Sequence, residues 1–258
     1  MPIIKPNKNY LRLGCNESAN MLELISVNIS LLGRKIIDDL SFNAKDGDII
    51  GLVGVNGAGK TTCIRTICGI LEPQSGEIKI AGQNLKDNRT FAQKQIGLLL
   101  EGAPLWGDMN AKEYLEFLGN MHALFGNDLK KAIIKAVEIT KIQNIFHQKI
   151  DTLSKGFKRR VAFAGAILHD PKILILDEPT DGLDPEQRAQ ALDILAKMGK
   201  DRIIIFSTHI LGDIGDICNR IIVINNGKKI ADETIDEFKK NTSGKLENAF
   251  FKLTGGGV

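Results

Sequence analysis

The stretch Gly54-Val55-Asn56-Gly57-Ala58-Gly59-Lys60-Thr61 constrains this chain more than any other. A glycine, four residues and then Gly-Lys-Thr is the spacing of a phosphate-binding loop between a strand and a helix. Residues 48–53 read as a short buried strand before the loop, and residues 62–71 as a helix after it. Gly54, Gly57 and Gly59 let the backbone turn its N–H groups toward an anion, because no Cβ blocks the approach. The helix N-terminus adds its positive dipole end at the same point. Lys60 is placed to reach β- and γ-phosphates, and the Thr61 hydroxyl to ligate Mg²⁺. The stretch is a candidate nucleotide site.

What surrounds it reads as an α/β chain with an interruption. Ile25, Val27, Ile29 and Leu31 alternate with Ser26, Asn28 and Ser30, the pattern of a half-buried strand. Residues 36–44, 77–81 and 96–100 continue as strands. Asn110 and Glu113 then form a capping pair that opens a helix, with Tyr114, Leu118, Met121 and Phe125 expected on one face. A second helix is expected over 128–139, striped by Ile133, Ile134 and Val137, and a third after Ser154, stopped by Pro171. Residues 101–170 are therefore a helical insertion. Strands resume at 172–176, apolar throughout, and at 202–208, followed by a hairpin turning at Asn226-Gly227 and a terminal helix within 232–258.

Composition matters at three points. Residues 1–20 are polar and aperiodic, so they are expected to form a flexible extension ahead of a domain spanning 21–258. No apolar run approaches the roughly 18 residues of a membrane span, and Met1 to Tyr10 carries no apolar stretch of the signal-peptide kind. Cys15, Cys63, Cys68 and Cys218 show no Cys-x-x-Cys spacing and read as packing residues of a reducing compartment.

Two further stretches carry chemistry. Asp177 and Glu178 end the apolar run at 173–176. A carboxylate at the C-terminal edge of such a strand, beside a phosphate loop, is where Mg²⁺ is held, and a second can polarise a water for attack on a γ-phosphate. Asp184-Pro185-Glu186-Gln187 reads as a helix start, with Asp184 as N-cap and Pro185 in the first helical position.

Taken together with Thr62, Leu153-Ser154-Lys155-Gly156-Phe157, the run from Ile173 to Thr180, Asp181-Gly182-Leu183-Asp184 and Ser207-Thr208-His209, the loop resembles the motif set of the ABC transporter ATPases. The resemblance runs from about residue 21 to 232, and its wording is most similar to the ATPase subunits of ABC-2-type exporters. It implies an α/β fold of the P-loop NTPase type, with a RecA-like core, an antiparallel β subdomain and a helical subdomain at about 101–170. It also implies hydrolysis of MgATP between two such chains, most simply two identical copies. Ser154 and Gly156 would face the nucleotide held by the partner, Glu178 would activate water, and His209 would contact the γ-phosphate. Asp184 would belong to a turn at the dimer seam. The chain would serve a membrane-spanning permease subunit, peripheral on the cytoplasmic face of the cell membrane, moving a substrate outward. The rival class, a soluble ABC ATPase acting on nucleic acid or the ribosome, typically shows paired cassettes, a long coiled coil or metal-binding cysteines, and none is visible here.

The sequence departs from the family pattern in places. Lys155 and Phe157 replace a glycine and a glutamine of the signature. Glu101 stands where a glutamine senses Mg²⁺ and the attacking water; its carboxylate can still approach either. No aromatic occupies the strand end that stacks on adenine in the family. Leu31 is expected to point into the core there, leaving Leu32 as the candidate base contact, and the tyrosines are Tyr10 and Tyr114. Trp106, in an exposed loop with Gly102, Pro104 and Gly107, is either a contact for the membrane partner or part of the helical core.

Overall fold

Segments apolar at consecutive positions, such as 173–176 and 203–206, need cover on both faces, and the fold supplies it. The computed structural model describes residues 20–102, 105–240 and 246–255. The order begins β1 (Leu22–Leu31), β2 (Arg34–Ala44), β3 (Ile49–Val53), α1 (Lys60–Ile67), β4 (Ser75–Ile80), β5 (Gln83–Asn84), α2 (Arg89–Gln95) and β6 (Ile96–Leu99). Three helices follow: α3 (Ala111–Met121), α4 (Gly126–Thr140) and α5 (Lys155–Ile167). Next come β7 (Ile173–Asp177), α6 (Pro185–Met198), β8 (Ile203–Ser207) and α7 (Leu211–Ile217). The chain then forms the pair β9 (Arg220–Asn225) and β10 (Lys228–Thr234), and ends with α8 (Ile235–Lys240) and α9 (Leu246–Thr254).

A six-stranded sheet in the order β10-β9-β3-β8-β7-β6 is parallel from β9 to β6, with β10 antiparallel at the edge. A second, antiparallel sheet runs β2-β1-β4-β5. The period of two divides the central strands between two cores. Ile173, Ile175, Ile203 and Ile205 face α1 and the antiparallel sheet, while Leu174, Leu176, Ile204 and Phe206 face the core that includes α3 to α6. The phosphate loop emerges at the C-terminal edge of this sheet, where parallel α/β folds place their ligands.

Several local readings need correction. β1 does not alternate evenly, because Ser26 takes a left-handed φ of 47° and the register with its neighbours slips there. The slip moves the inward set to Leu22, Leu24, Val27 and Ile29, leaving Ile25 exposed and Leu31 41% exposed rather than in the core. In α3 the capping pair forms as expected, Asn110 Oδ1 accepting from Glu113 N at 2.9 Å and Glu113 Oε2 from Asn110 N at 2.9 Å. That helix ends at Met121, however, so Met121 is exposed and Phe125 lies at the start of α4, also exposed. In α4 the buried stripe is Ile133, Ala136, Val137 and Thr140, and Ile134 turns to solvent. The C-terminal segment holds two helices rather than one. Cys63, Cys68 and Cys218 are free and buried, and burial alone pushes the Cys63 thiol up to about 12, which suits packing and not reactivity. Cys15, Tyr10 and the rest of 1–19 lie outside the described residues, as does Pro104.

Candidate functional site

The phosphate loop owes its shape to its glycines and to what presses on them. Gly57 and Gly59 have φ of 79° and 109°, left-handed values that a side chain would strain. A Cβ on Gly54 would strike the Ile224 carbonyl, and one on Gly59 would lie 2.8 Å from Ile37 Cδ1. A Cβ on Gly57 would meet nothing within 4 Å, so that glycine borders open space. Lys60, the first residue of α1, arches back over the loop, its Nζ donating to the carbonyls of Gly54 at 2.7 Å and Val55 at 3.3 Å. Burial draws its ammonium pKa below the ordinary lysine value, against the opposing pull of Glu178 and Asp177.

The carboxylates arrive from β7. Asp177 is buried, with Thr61 Oγ1 donating to Oδ2 at 3.2 Å and Ser207 Oγ to Oδ1 at 2.5 Å. Glu178 follows with φ of 49°, held in this uncommon conformation by its N–H, which donates to Ser207 O at 3.2 Å and Oγ at 3.1 Å. Glu178 Oε2 accepts from the His209 backbone N–H at 3.4 Å and lies 2.9 Å from Nδ1 of the same ring. With the carboxylate ionised, that contact selects the tautomer carrying its proton on Nδ1.

Asp177 and Glu178 share one open cleft of about 540 Å³ with Asn56, Gly57, Ala58, Gly59, Lys60, Thr61, Thr62 and Glu101, while Ser207 and His209 hold the two carboxylates from outside its lining. Its donor set fits Mg²⁺. Thr61 and Asp177 offer hard oxygens at contact distance, and among the described residues no group of three or more His, Cys, Asp or Glu forms a metal cage. That pairing is characteristic of a cation that keeps most of its shell as water and substrate phosphate.

Sequence reasoning missed part of the cleft wall. Arg34, Lys35 and Ile36 line it from the start of β2, and Asn226 and Gly227 from the β9–β10 turn. The turn is seated by Gly227 N donating to Ala58 O, and Asp38 N to Gly227 O, each at 3.0 Å. These contacts join segments far apart in sequence, so no local pattern announces them. Arg159 was missed as well: it donates from α5 to the carbonyls of Leu100, Asp177, Glu178 and Pro179. Its burial among carbonyls, rather than its type, sets it apart from its neighbour Arg160.

Other expected site residues lie elsewhere. Ser154 is exposed and caps α5, its Oγ accepting from Phe157 N at 3.4 Å, and Gly156 is buried under the Gln187 side chain. Neither lines the phosphate-loop cleft of its own chain. Asp184 caps α6, accepting from Gln187 N at 2.8 Å. Leu32 is fully exposed with φ of 50°, and does not line the cleft either. Trp106 is 48% exposed and rests edge-on against Phe117 at 4.9 Å and tilted against Tyr114 at 5.9 Å.

Comparison with known proteins bears on this arrangement. A family model described as "ABC transporter" matches residues 37–181. An uncharacterized ABC transporter ATP-binding protein of Bacillus subtilis (strain 168) is 37% identical over 224 residues, covering 84% of this chain and 72% of the relative. The bacitracin transport ATP-binding protein BcrA of Bacillus licheniformis is 36% identical over 216 residues, covering 83% and 70%. Among solved structures, an ATP-binding subunit of an ABC transporter superposes with a TM-score of 0.83 at 26% identity, covering 91% of this chain and 99% of that one.

Proposed function

From the premise that this chain belongs to the ABC transporter ATP-binding proteins, we propose that it hydrolyses MgATP in a closed pair of chains. The work is done on a separate membrane-spanning permease subunit, and the direction of transport is outward. The observation that carries the reading is the convergence of Lys60, the Thr61–Asp177 pair and Glu178 in one cleft, with His209 in contact with Glu178. The glycine-loop N–H groups and Lys60 bind the phosphates, and the Lys60 ammonium leaves its two carbonyl acceptors to do so. Thr61 and Asp177 would hold Mg²⁺, which would supply positive charge against the phosphate oxygens. Ser207 fixes Asp177 Oδ1 and so keeps Oδ2 toward Thr61. His209 holds Glu178 Oε2, which leaves Oε1 to take a proton from the attacking water. Glu101 lines the same cleft and can orient that water by accepting from it.

Outward transport is supported by the ABC-2-type wording of the signature stretch, and a transport role by the relative named for bacitracin transport. Among the described residues no helix is long and apolar enough to cross a membrane. A separate membrane partner accounts for that, and the half-exposed Trp106, in the loop before α3, offers it an apolar contact. Replacing Glu178 with Gln tests the assignment. The variant should bind ATP, accumulate as a closed dimer and hydrolyse roughly 10²–10⁴-fold more slowly, the range a positioned base contributes. Turnover at the parental rate would mean that Glu178 is not the base.

A further inference from the structure

Glu178 is fixed from two sides, and its carbonyl side is held from outside its own strand. Its N–H is tied to Ser207, while its carbonyl accepts from Asp181 N at 3.1 Å and from Arg159 Nη2. The same Nη2 donates to Asp177 O at 2.6 Å, Nη1 to Leu100 O at 3.3 Å, and Nε to Pro179 O at 3.4 Å. One guanidinium thus ties the carbonyl ends of β6 and β7 together, next to Glu101 and beneath Asp177 and Glu178. Only a planar fork of N–H donors reaches four acceptors at once; an ammonium has three donors and no plane. Burial draws the guanidinium pKa below the ordinary arginine value, against the opposing pull of Asp181, Asp177, Glu101 and Glu178.

Arg159 belongs to α5, under a turn and a half beyond Ser154 and under one turn beyond Gly156 at that helix's start. We propose that Arg159 is a positioning residue for hydrolysis. It carries the seating of the α5 N-terminus on the neighbouring chain's nucleotide to the backbone of Glu178 in its own site. The inference rests on the reading of Glu178 as base and of Ser154 and Gly156 as contacts made across the dimer. Displacing a reacting group by about 1 Å can cost on the order of 100-fold in rate. A left-handed glutamate that loses one of its two carbonyl partners can shift by that much.

The test uses the full chain with Arg159→Met, which keeps the stem and removes the donors, and Arg159→Lys, which keeps the charge. Arg159→Met should lower kcat about 10- to 100-fold while the Kd for ATP changes less than about threefold, and Arg159→Lys should recover part of the loss. A structural role alone does not predict the decisive readout, a cycle with Glu178→Gln. Once the base is gone, adding Arg159→Met should slow the residual single-turnover rate by less than about twofold, because both changes act through one group. If Arg159→Met slows both backgrounds equally, or leaves kcat at the parental value, the inference is overturned. If Glu178→Gln itself has no effect, the reading of the site fails first. Should Arg159→Met not fold, Arg159→Lys decides: reduced kcat at parental Tm supports the proposal, and parental kcat overturns it.

Discussion

Leu32 sits on the turn between β1 and β2, fully exposed, at the position where the resemblance to the ABC transporter ATPases implies an aromatic for the base. Among the described residues no aromatic lines the cleft in place of that ring: the wall beside the loop is Arg34, Lys35 and Ile36, and Lys35 is drawn to Asp38, which also pairs with Lys228 at 3.2 Å. The phosphate loop reads the triphosphate and not the base, so losing a stack worth roughly 1–3 kcal/mol leaves selectivity weak. ATP affinity should be modest, and GTP hydrolysis should fall within about an order of magnitude of ATP hydrolysis. Leu32→Tyr should tighten ATP binding, measured by titration; tight ATP binding with rejection of GTP by the parental chain would contradict this. The residues that sequence reasoning identified at this scale are those whose neighbours along the chain define them, such as Lys60 after three glycines or Asp177 after four apolar residues. Arg34 and Arg159 escaped because the cleft wall of the one and the acceptors of the other are formed by segments remote in sequence. Leu31 was misplaced because a single left-handed residue, Ser26, resets the alternation upstream of it.

At the scale of elements, the join of α3 and α5 with β6 carries a pH-sensitive contact. The rings of His122, at the end of α3, and His169, just past α5, stack at 3.8 Å and 6°. His169 Nε2 lies 3.0 Å from Ile96 O, and its Nδ1 is buried with no partner. Burial first, and then its neighbour His122, pull the His169 pKa down to about 4, with Ile96 O and Asp170 opposing. Burial and the nearby Lys94 lower His122 as well. A folded pKa below the ordinary 6.5 means that the unfolded chain takes up protons first as pH falls. The stability from His169 is therefore complete above pH 6.5 and is lost as pH drops toward 4, amounting to about 2 kcal/mol by pH 5. For a chain of this size that is a fall of roughly 4–8 °C in Tm. His169→Gln, which cannot titrate, should lose correspondingly less Tm between pH 7 and pH 5; equal losses in both proteins would show that the pair does not titrate with unfolding. The helices themselves were readable from capping and period, as the Asn110–Glu113 pair shows. Their inner faces were less so, because Met121 and Ile134 are apolar residues left in solvent.

For the whole molecule, the proposed function makes this site half of a shared one. The cleft holds the phosphate loop, both β7 carboxylates and Glu101, while Ser154 and Gly156 present the N-terminus of α5 away from it. A helix start whose capping hydroxyl still has its O–H to donate, beside a close backbone, is suited to phosphate, so its nucleotide should be the one held by a second chain. In a two-fold pair each site then takes its loop from one chain and its signature residues from the other. Lys60→Ala should inactivate by loss of phosphate binding, and Gly156→Asp by placing a carboxylate against the phosphate and a Cβ against Gln187. Mixing the two dead variants in equal amounts should restore activity. Half of the dimers hold one chain of each kind, and each of these has one intact site of two, so about a quarter of the parental rate is expected for independent sites. Mixing should give no recovery if each chain completes its own site. The measurement is ATP turnover after the variants are purified apart, combined and allowed to exchange. A mixture as inactive as its parents would therefore overturn the shared site, and a fully active Gly156→Asp chain would remove the α5 N-terminus from it.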